Sequence, residues 1–435
     1  MTLKPSQILQ LLDARRAQFT AFDQSAGQRV QSYRAALRQF SQLSEAGRSH
    51  LLAKHSHDDL GARPLESLAD APQCVVPWPL QWENREQSLD WARDRLLNVT
   101  TFAVDGSQIY PGKDLSIPVA LVQIGWFENR HAPGGAYEKD VSVDLMTPQD
   151  LREGGKGDPV DRRVNMRRFQ LETQRLTDYI KSRDKSAQGE SALGKLAQGK
   201  LAQGKAALGE SASGRLALGK SAQGESVQGV PEKTLVFLDG SMVASFAEPF
   251  DEANQQFYVD CLLPLLMASE AQRVPLVAYI DTSYADDLVR MLRILYNLEP
   301  ADAIHDAQIL NSLMRWGDRT PLFLCERPGI LNRYEHHRRR VAFTYLKTTR
   351  DNYPVRLELP LWLVEAGLAD QVIDWVRAEV IAGGGYPYAI ETADQTAVLQ
   401  VGDRQMFFRL LQEWADQQAL DLRFSRKMVS KVRRR

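Results

Sequence analysis

The sequence predicts a mixed α/β fold, and three observations carry the prediction. Three strand-like segments follow one another after residue 98, helix-like and strand-like stretches alternate from residue 160 onwards, and the composition is that of an ordinary globular chain, 43% hydrophobic and 25% charged. With 435 residues the chain can bury at least one substantial core. No apolar run approaches the roughly 20 residues that a membrane span requires. The opening MTLKPSQILQLLDARRAQ has no apolar export segment, so the expectation is a soluble, cytoplasmic protein. Cys74, Cys261 and Cys325 lie far apart, in or beside apolar stretches, and read as buried, reduced thiols rather than a disulfide framework.

Taken in order, residues 5–60 place Ile8, Leu11, Leu12, Phe19, Phe22, Val30, Tyr33, Leu37, Phe40 and Leu43 at helical spacing, which predicts an N-terminal helical appendage. A connector with Pro64, Pro72, Pro77 and Pro79 follows and ends in the helix-like WENREQSLDWARDRLL, completing a region that spans 1–97. The core, 98–400, opens with TTFAVDGS, VALVQIGWFE and KDVSVDLM, three strands that suggest an antiparallel meander. A helix (DRRVNMRRFQLETQRLTDYIKSR), a strand (TLVFLDGS), a helix (EANQQFYVDCLLPLLMASEA), a strand (VPLVAYIDTS) and a helix (ADDLVRMLRILYNL) come next. The order β-β-β-α-β-α-β-α is that of the ribonuclease H-like fold, a five-stranded mixed sheet with helices on both faces. TPLFLCE, VAFTYLKTT and YPVRLELPLW add strands, LADQVIDWVRAEVIA adds a helix, and 401–435 reads as a C-terminal helix with a basic tail.

From Ser186 to Val230 the chain repeats every five residues, with a glycine at each fifth position from Gly189 to Gly229. Each glycine costs about 1 kcal/mol in a helix interior, and a period of five matches neither helix nor strand. A disordered or loosely helical insert is expected. Within it, GRLALGKS from Gly214 to Ser221 matches the phosphate-binding G-x-x-x-x-G-K-[ST] pattern, but the repeat generates that spacing by itself. No apolar strand precedes it and no helix-forming run follows, so no nucleotide site is expected there.

The informative residues are acids. Asp105 in FAVDGS and Asp239 in VFLDGS each close a strand, and in the expected topology those strands are neighbours, so the two carboxylates meet at one point on the sheet. A lone Asp-Gly after an apolar run is usually a turn; two copies at adjacent strand tips suit a divalent-ion site, because Mg²⁺ and Mn²⁺ prefer clustered oxygen ligands. The helix between them offers Glu172, flanked by Arg167, Arg168 and Arg175; alone it would read as a surface acid making helix ion pairs. Asp281 in AYIDTS ends another strand, and its plainer reading is a helix cap. His55, His57, Asp58 and Asp59 (HSHDD) lack a complementary pair nearby and read as a polar loop. With a net charge of −1, nucleic-acid contacts have to be local. Two basic clusters qualify: Arg338, Arg339, Arg340, Lys347 and Arg350, and a tail that ends in Arg433, Arg434 and Arg435. Taken alone, each is more often a solvated helix face or a frayed tail than a DNA contact.

These motifs resemble those of the NurA family of DNA-end-processing nucleases. That family pairs an early strand ending in Asp-Gly-Ser, a Glu on the next helix, a second Asp-Gly-Ser strand, and a late Gly-Tyr-Pro-Tyr segment running into Glu-Ala-His. Here they are AVDGS with Asp105, Glu172, FLDGS with Asp239, and GGGYPYAIETADQTAVL from Gly383 to Leu399. Tyr386 matches the family's active-site tyrosine, and Asp394 stands where the family has its histidine. The resemblance implies a Mn²⁺- or Mg²⁺-dependent deoxyribonuclease. It also implies 5′ to 3′ exonuclease and single-strand endonuclease activity on DNA, a homodimer, and work beside a HerA-like hexameric ATPase translocase in double-strand-break end resection. Asp105, Glu172, Asp239 and Asp394 would be metal ligands, and Tyr386 would orient substrate or water. Two other readings stay open: a DNA-binding or translocase-docking protein that lost its chemistry through Asp394, and a ribonuclease or resolvase on the same core.

Overall fold

The computed structural model describes residues 3–55, 59–112, 115–152, 159–204, 233–300 and 304–423. The elements run α1 (Pro5–Ala14), α2 (Arg16–Gln42), α3 (Glu45–Lys54), β1 (Gly61–Pro64), α4 (Arg85–Leu96), β2 (Val99–Ile109), β3 (Ala120–Asn129), β4 (Tyr137–Met146), α5 (Val160–Gly204) and β5 (Lys233–Asp239). They continue through α6 (Glu252–Gln272), β6 (Leu276–Ile280), α7 (Asp287–Tyr296), α8 (Asp306–Leu310), β7 (Phe323–Glu326), β8 (Val341–Leu346), β9 (Val355–Pro360), α9 (Leu361–Glu365), α10 (Ala369–Ala382), α11 (Tyr388–Ala397) and α12 (Val401–Gln417).

One sheet holds the nine strands among the described residues, in the order β1-β7-β8-β9-β6-β5-β2-β3-β4. The meander β2-β3-β4 is antiparallel, and β5 and β6 join β2 in parallel after crossovers through α5 and α6. The expected meander and the two crossover strands are therefore present, and the three further strands expected (β7, β8 and β9), together with one that was not (β1), extend the sheet beyond β6. One of them, β1, lies in the proline-containing connector, where GARP shows no strand pattern; it pairs antiparallel with β7.

Side chains alternate across a strand, so each core strand feeds two cores. Phe102 and Val104 of β2 and Val236 and Leu238 of β5 face α2, α5, α6 and α7. Val99 and Ala103, with Leu235 and Phe237, face α4, α10 and α11. Fully burying a Phe or Leu of this kind stabilises by about 1.5–3 kcal/mol, which fixes the register of both strands and hence where their terminal acids project. The N-terminal helices are less separate than expected: Tyr33, Leu37 and Phe40 of α2 belong to the first core, although α1 buries no residue of its own.

The first part of the repeat takes the helical form of the two expected. α5 is helical to Gly204, well into the pentads. A helix already nucleated by packing extends at little further cost, and the Ala, Leu, Gln, Lys and Glu between the glycines are good helix formers. The rest of the repeat, including GRLALGKS, and the basic tail with Arg433 and Arg434 lie outside the described residues.

Candidate active site

The odd-numbered residues of β2 and β5 put Asp105 and Asp239 on the same face of the sheet, the face covered by α10 and α11. Asp105 stands opposite Gly125 of β3. That glycine has a specific job, because a Cβ there would sit 2.6 Å from the Ala397 nitrogen. Only a bare backbone lets the end of α11 settle onto β3, where Gln123 Nε2 donates to the Ala397 carbonyl at 3.0 Å. The seating brings Asp394 within hydrogen-bonding reach of Asp105. At the other end of α11, the buried Glu379 carboxylate accepts from Ala389 N at 2.8 Å, and its second oxygen lies 3.4 Å from His131 Nε2. The tight Gly-Gly-Gly-Tyr-Pro turn then aims Tyr386 at the β5 tip, and its hydroxyl donates to Asp239 Oδ1 at 3.3 Å.

Glu172 arrives from the opposite side. It sits on α5, over Gly106, where a Cβ would lie 2.3 Å from Glu172 Oε1. Gly106 thus opens the sheet between its two faces, and the Glu172 carboxylate feels both Asp105 and Asp239 through the gap. Arg168, one turn earlier, approaches Glu172 Oε1 at 3.5 Å and donates to the Gly106 carbonyl at 3.0 Å.

Burial and mutual repulsion raise every shifted acid in this group. Asp105 is pushed up to about 6, chiefly by burial and then by Asp394 and Asp239, against the Gly106 amide that holds it down. Glu172 reaches about 8, again chiefly by burial, with Arg168 only partly compensating Asp105 and Asp239. Asp239 is raised by burial and by Asp394, opposed by the Tyr386 hydroxyl and Arg168. Glu172 Oε1 is buried without a hydrogen-bond donor, a state that costs about 1–3 kcal/mol or more for a charged group. Among the described residues no three His, Cys, Asp or Glu side chains close into a ready metal cluster. The donor set fits a hard divalent ion: oxygen ligands, too few positive charges, and one buried oxygen without a hydrogen-bond donor.

Of the sequence candidates, the structure gathers Asp105, Glu172, Asp239, Tyr386 and Asp394. It also gathers Asp281, whose charge raises Asp239 and Tyr386 and which does not cap α7, because that role falls to Asp286. Arg168 was not singled out; its place four residues before Glu172 is the signal that finds it. The basic cluster is not part of the site. Arg338, Arg339 and Arg340 precede Val341, which pairs with Pro360 at the end of the sheet away from Asp239, and they engage Asp59, Glu326 and Glu365. Lys347 is 3% exposed and spends its ammonium on Asn311 and the Asn352 carbonyl. In HSHDD, His57 and Asp58 lie outside the described residues, and Asp59 answers Arg338.

Acids drawn from two strands and two helices to one end of a mixed sheet define a carboxylate-centred α/β protein. The NurA domain family matches residues 99–399, and the chain belongs to the NurA family. Membership suggests a nuclease. Among solved structures, it is similar to NurA with manganese (10% identity, 84% of this chain and 97% of that chain covered, TM-score 0.38). It is also similar to NurA bound to dAMP and manganese (12% identity, 81% and 91% covered, TM-score 0.34). A third is a further NurA structure (12% identity, 85% and 98% covered, TM-score 0.34). No curated protein is significantly similar to it in sequence. Among the described residues, no helix is long and apolar enough to cross a membrane.

Proposed function

We propose that the chain is a divalent-metal-dependent deoxyribonuclease whose site is built by Asp105, Glu172, Asp239 and Asp394. The observation that carries this reading is the charge imbalance: acids converge through the opening at Gly106, and Arg168 is the cation that Glu172 and Asp239 feel. The four carboxylates would hold Mn²⁺ or Mg²⁺, which when bound supplies an activated water and stabilises the leaving oxygen of a phosphodiester. Arg168 keeps Glu172 facing the strand, and Tyr386 fixes the orientation of Asp239 while presenting a hydroxyl to the reacting phosphate. Asp394 in place of a histidine supplies an oxygen ligand, which suits the same hard ions and supports retained chemistry.

Family membership and the resemblance support the finer reading: 5′ to 3′ exonuclease and single-strand endonuclease activity on DNA, in double-strand-break end resection beside a HerA-like hexameric ATPase translocase. A homodimer is part of that reading. It draws support from the edge strand β4, where Tyr137 and Val143 are 64% and 60% exposed on one face. An apolar face exposed on an edge strand is the kind of surface that a second chain can cover.

The test is cleavage of end-labelled single-stranded and duplex DNA with Mn²⁺, Mg²⁺ or EDTA, by the parent protein and Asp105→Ala. Metal-dependent degradation that falls by roughly a thousandfold or more in the variant is expected. No cleavage, together with no Mn²⁺ uptake by calorimetry and intact DNA affinity, would assign the chain to DNA binding without chemistry.

A further inference from the structure

Away from the carboxylates, an open cavity lies over a group of tryptophans. Trp78, Trp82, Trp91 and Trp316 cluster with ring centroids 4.9–5.5 Å apart, most of them edge to face. An open pocket of about 710 Å³ is lined by Trp78, Trp82 and Trp316, with Gln73, Gln81 and Arg315 among its polar walls. Trp316 is 40% exposed, an unusual state for so large an apolar ring unless something covers it.

The pocket's chemistry narrows the ligand. Its one acid, Asp318, is already consumed: Oδ1 accepts from Trp78 N at 2.9 Å and Oδ2 from Arg315 N at 2.7 Å. A cage for an ammonium ligand would need a free anion or a ring closure that this site lacks. Arg315, by contrast, makes no ion pair among the described residues, so its guanidinium is available to an anion. Indole surface, carboxamides with both donors and acceptors, and a free guanidinium complement a base and its phosphate.

Position supports the same ligand. Trp316 Nε1 donates to the Thr348 carbonyl at 2.8 Å. Thr348 lies beside the Tyr279 hydroxyl without a well-aligned hydrogen bond, and the Tyr279 ring meets the Tyr386 ring edge-on at 5.1 Å. The 347–349 turn therefore has the tryptophans on one side and the tyrosine that holds Asp239 on the other. The wall of the pocket is also strained, since Gln73 and Cys74 both adopt left-handed φ values of 57° and 59°.

We propose that the Trp78–Trp82–Trp316 pocket is a stacking subsite for a base of single-stranded DNA, a few nucleotides from the scissile phosphate. It rests on the nuclease reading, and the experiment separates the two. Fluorescein-labelled oligothymidine and an abasic oligomer of equal length are titrated by anisotropy in Ca²⁺, against the full-length parent, Trp316→Ala and Trp316→Phe. Hydrolysis of bis-p-nitrophenyl phosphate in Mn²⁺ is followed alongside, because that substrate is too small to reach the pocket. The parent should prefer the oligomer that carries bases; Trp316→Ala should lose roughly tenfold or more of that preference. Trp316→Phe should keep most of it, and all three proteins should hydrolyse the small diester alike. Equal affinity of parent and Trp316→Ala for both oligomers overturns the subsite. Failure of the parent to cleave both DNA and the small diester, with no Mn²⁺ uptake, overturns the nuclease reading instead.

Discussion

Two groups of buried acids in this chain have opposite fates. At the candidate active site, Asp105, Glu172 and Asp239 are all raised, chiefly by burial. Some residues away, burial would likewise raise Asp287, but Arg327 and Arg356 override it and hold its carboxyl below the usual range. Arg356 Nη1 lies 2.7 Å from Asp287 Oδ2 and its Nε 2.8 Å from Glu358 Oε1, while Arg327 Nε donates to Asp287 Oδ1 at 2.9 Å. A third acid, Asp306, pushed up to about 7 by burial, is satisfied by the Tyr345 hydroxyl and the Val289 amide. The lesson is that burial alone does not mark a functional carboxylate. What distinguishes the site is missing compensation. The two groups are joined mechanically, because the second oxygen of Glu358 accepts from Ser241 Oγ at 2.8 Å and Met242 N at 2.7 Å, pinning the loop that follows Asp239.

Breaking the compensated group should have the largest effect on stability. Arg356→Met strands Glu358 without a counter-charge and leaves Asp287 to Arg327 alone, and a loss of about 3–5 kcal/mol is expected in urea unfolding. DNA cleavage should fall as well, because Glu358 no longer has a fixed carboxylate to hold Ser241 and Met242.

The same kind of change at the uncompensated group should do the reverse. With Glu172 at about 8 in the folded chain against 4.5 in the unfolded one, the folded state holds a proton that the unfolded state has shed. Its contribution to stability is full below 4.5 and is lost as pH rises through 8, so the metal-free protein should weaken across that window. Glu172→Gln should remove the penalty and stabilise the metal-free protein at pH 8 by on the order of 2 kcal/mol, while abolishing Mn²⁺-dependent cleavage. Thermal melts at pH 6 and pH 8 check this; an unchanged or lower melting temperature at pH 8 would sink the account. The stabilisation conferred by Mn²⁺ should itself grow from pH 6 to pH 8 in the parent, as protons leave Asp105 and Glu172, and stay flatter in Glu172→Gln.

A smaller effect is expected at Tyr386. Removing its hydroxyl takes one hydrogen bond from Asp239, so Tyr386→Phe should lower kcat by roughly tenfold or less and leave folding intact. A loss as deep as that of Asp105→Ala would mean that the hydroxyl does more than orient Asp239.

The contrast also explains what was legible beforehand. Asp105 and Asp239 announced themselves because a strand ending in Asp-Gly-Ser occurs twice, and the meander with its crossovers followed from periodicity. Tyr386 and Asp394 came only with the family motif. Pairing is invisible to such reading: Lys347 proves buried on Asn311, and Arg338, Arg339 and Arg340 stay at the surface with Asp59, Glu326 and Glu365 as partners. β1 was missed because Gly-Ala-Arg-Pro owes its strand conformation to β7 rather than to its own preferences. The tryptophan pocket was missed because its residues converge from 78–91 and 316, a closeness created only by packing.

The seating of α11 on Gly125 carries a consequence for the order of events in the cell. Ser107 beside the first acid receives its contact from Leu399, 292 residues later, and Gln123 finds the Ala397 carbonyl 274 residues away. Long-range closure of this kind comes late in folding. A ribosome has therefore to release nearly the whole domain before Asp394 can reach Asp105, and a truncated or half-made chain cannot assemble the complete acid set. The acid set is therefore complete only once the chain has been made as far as α11 and that helix has seated on β3.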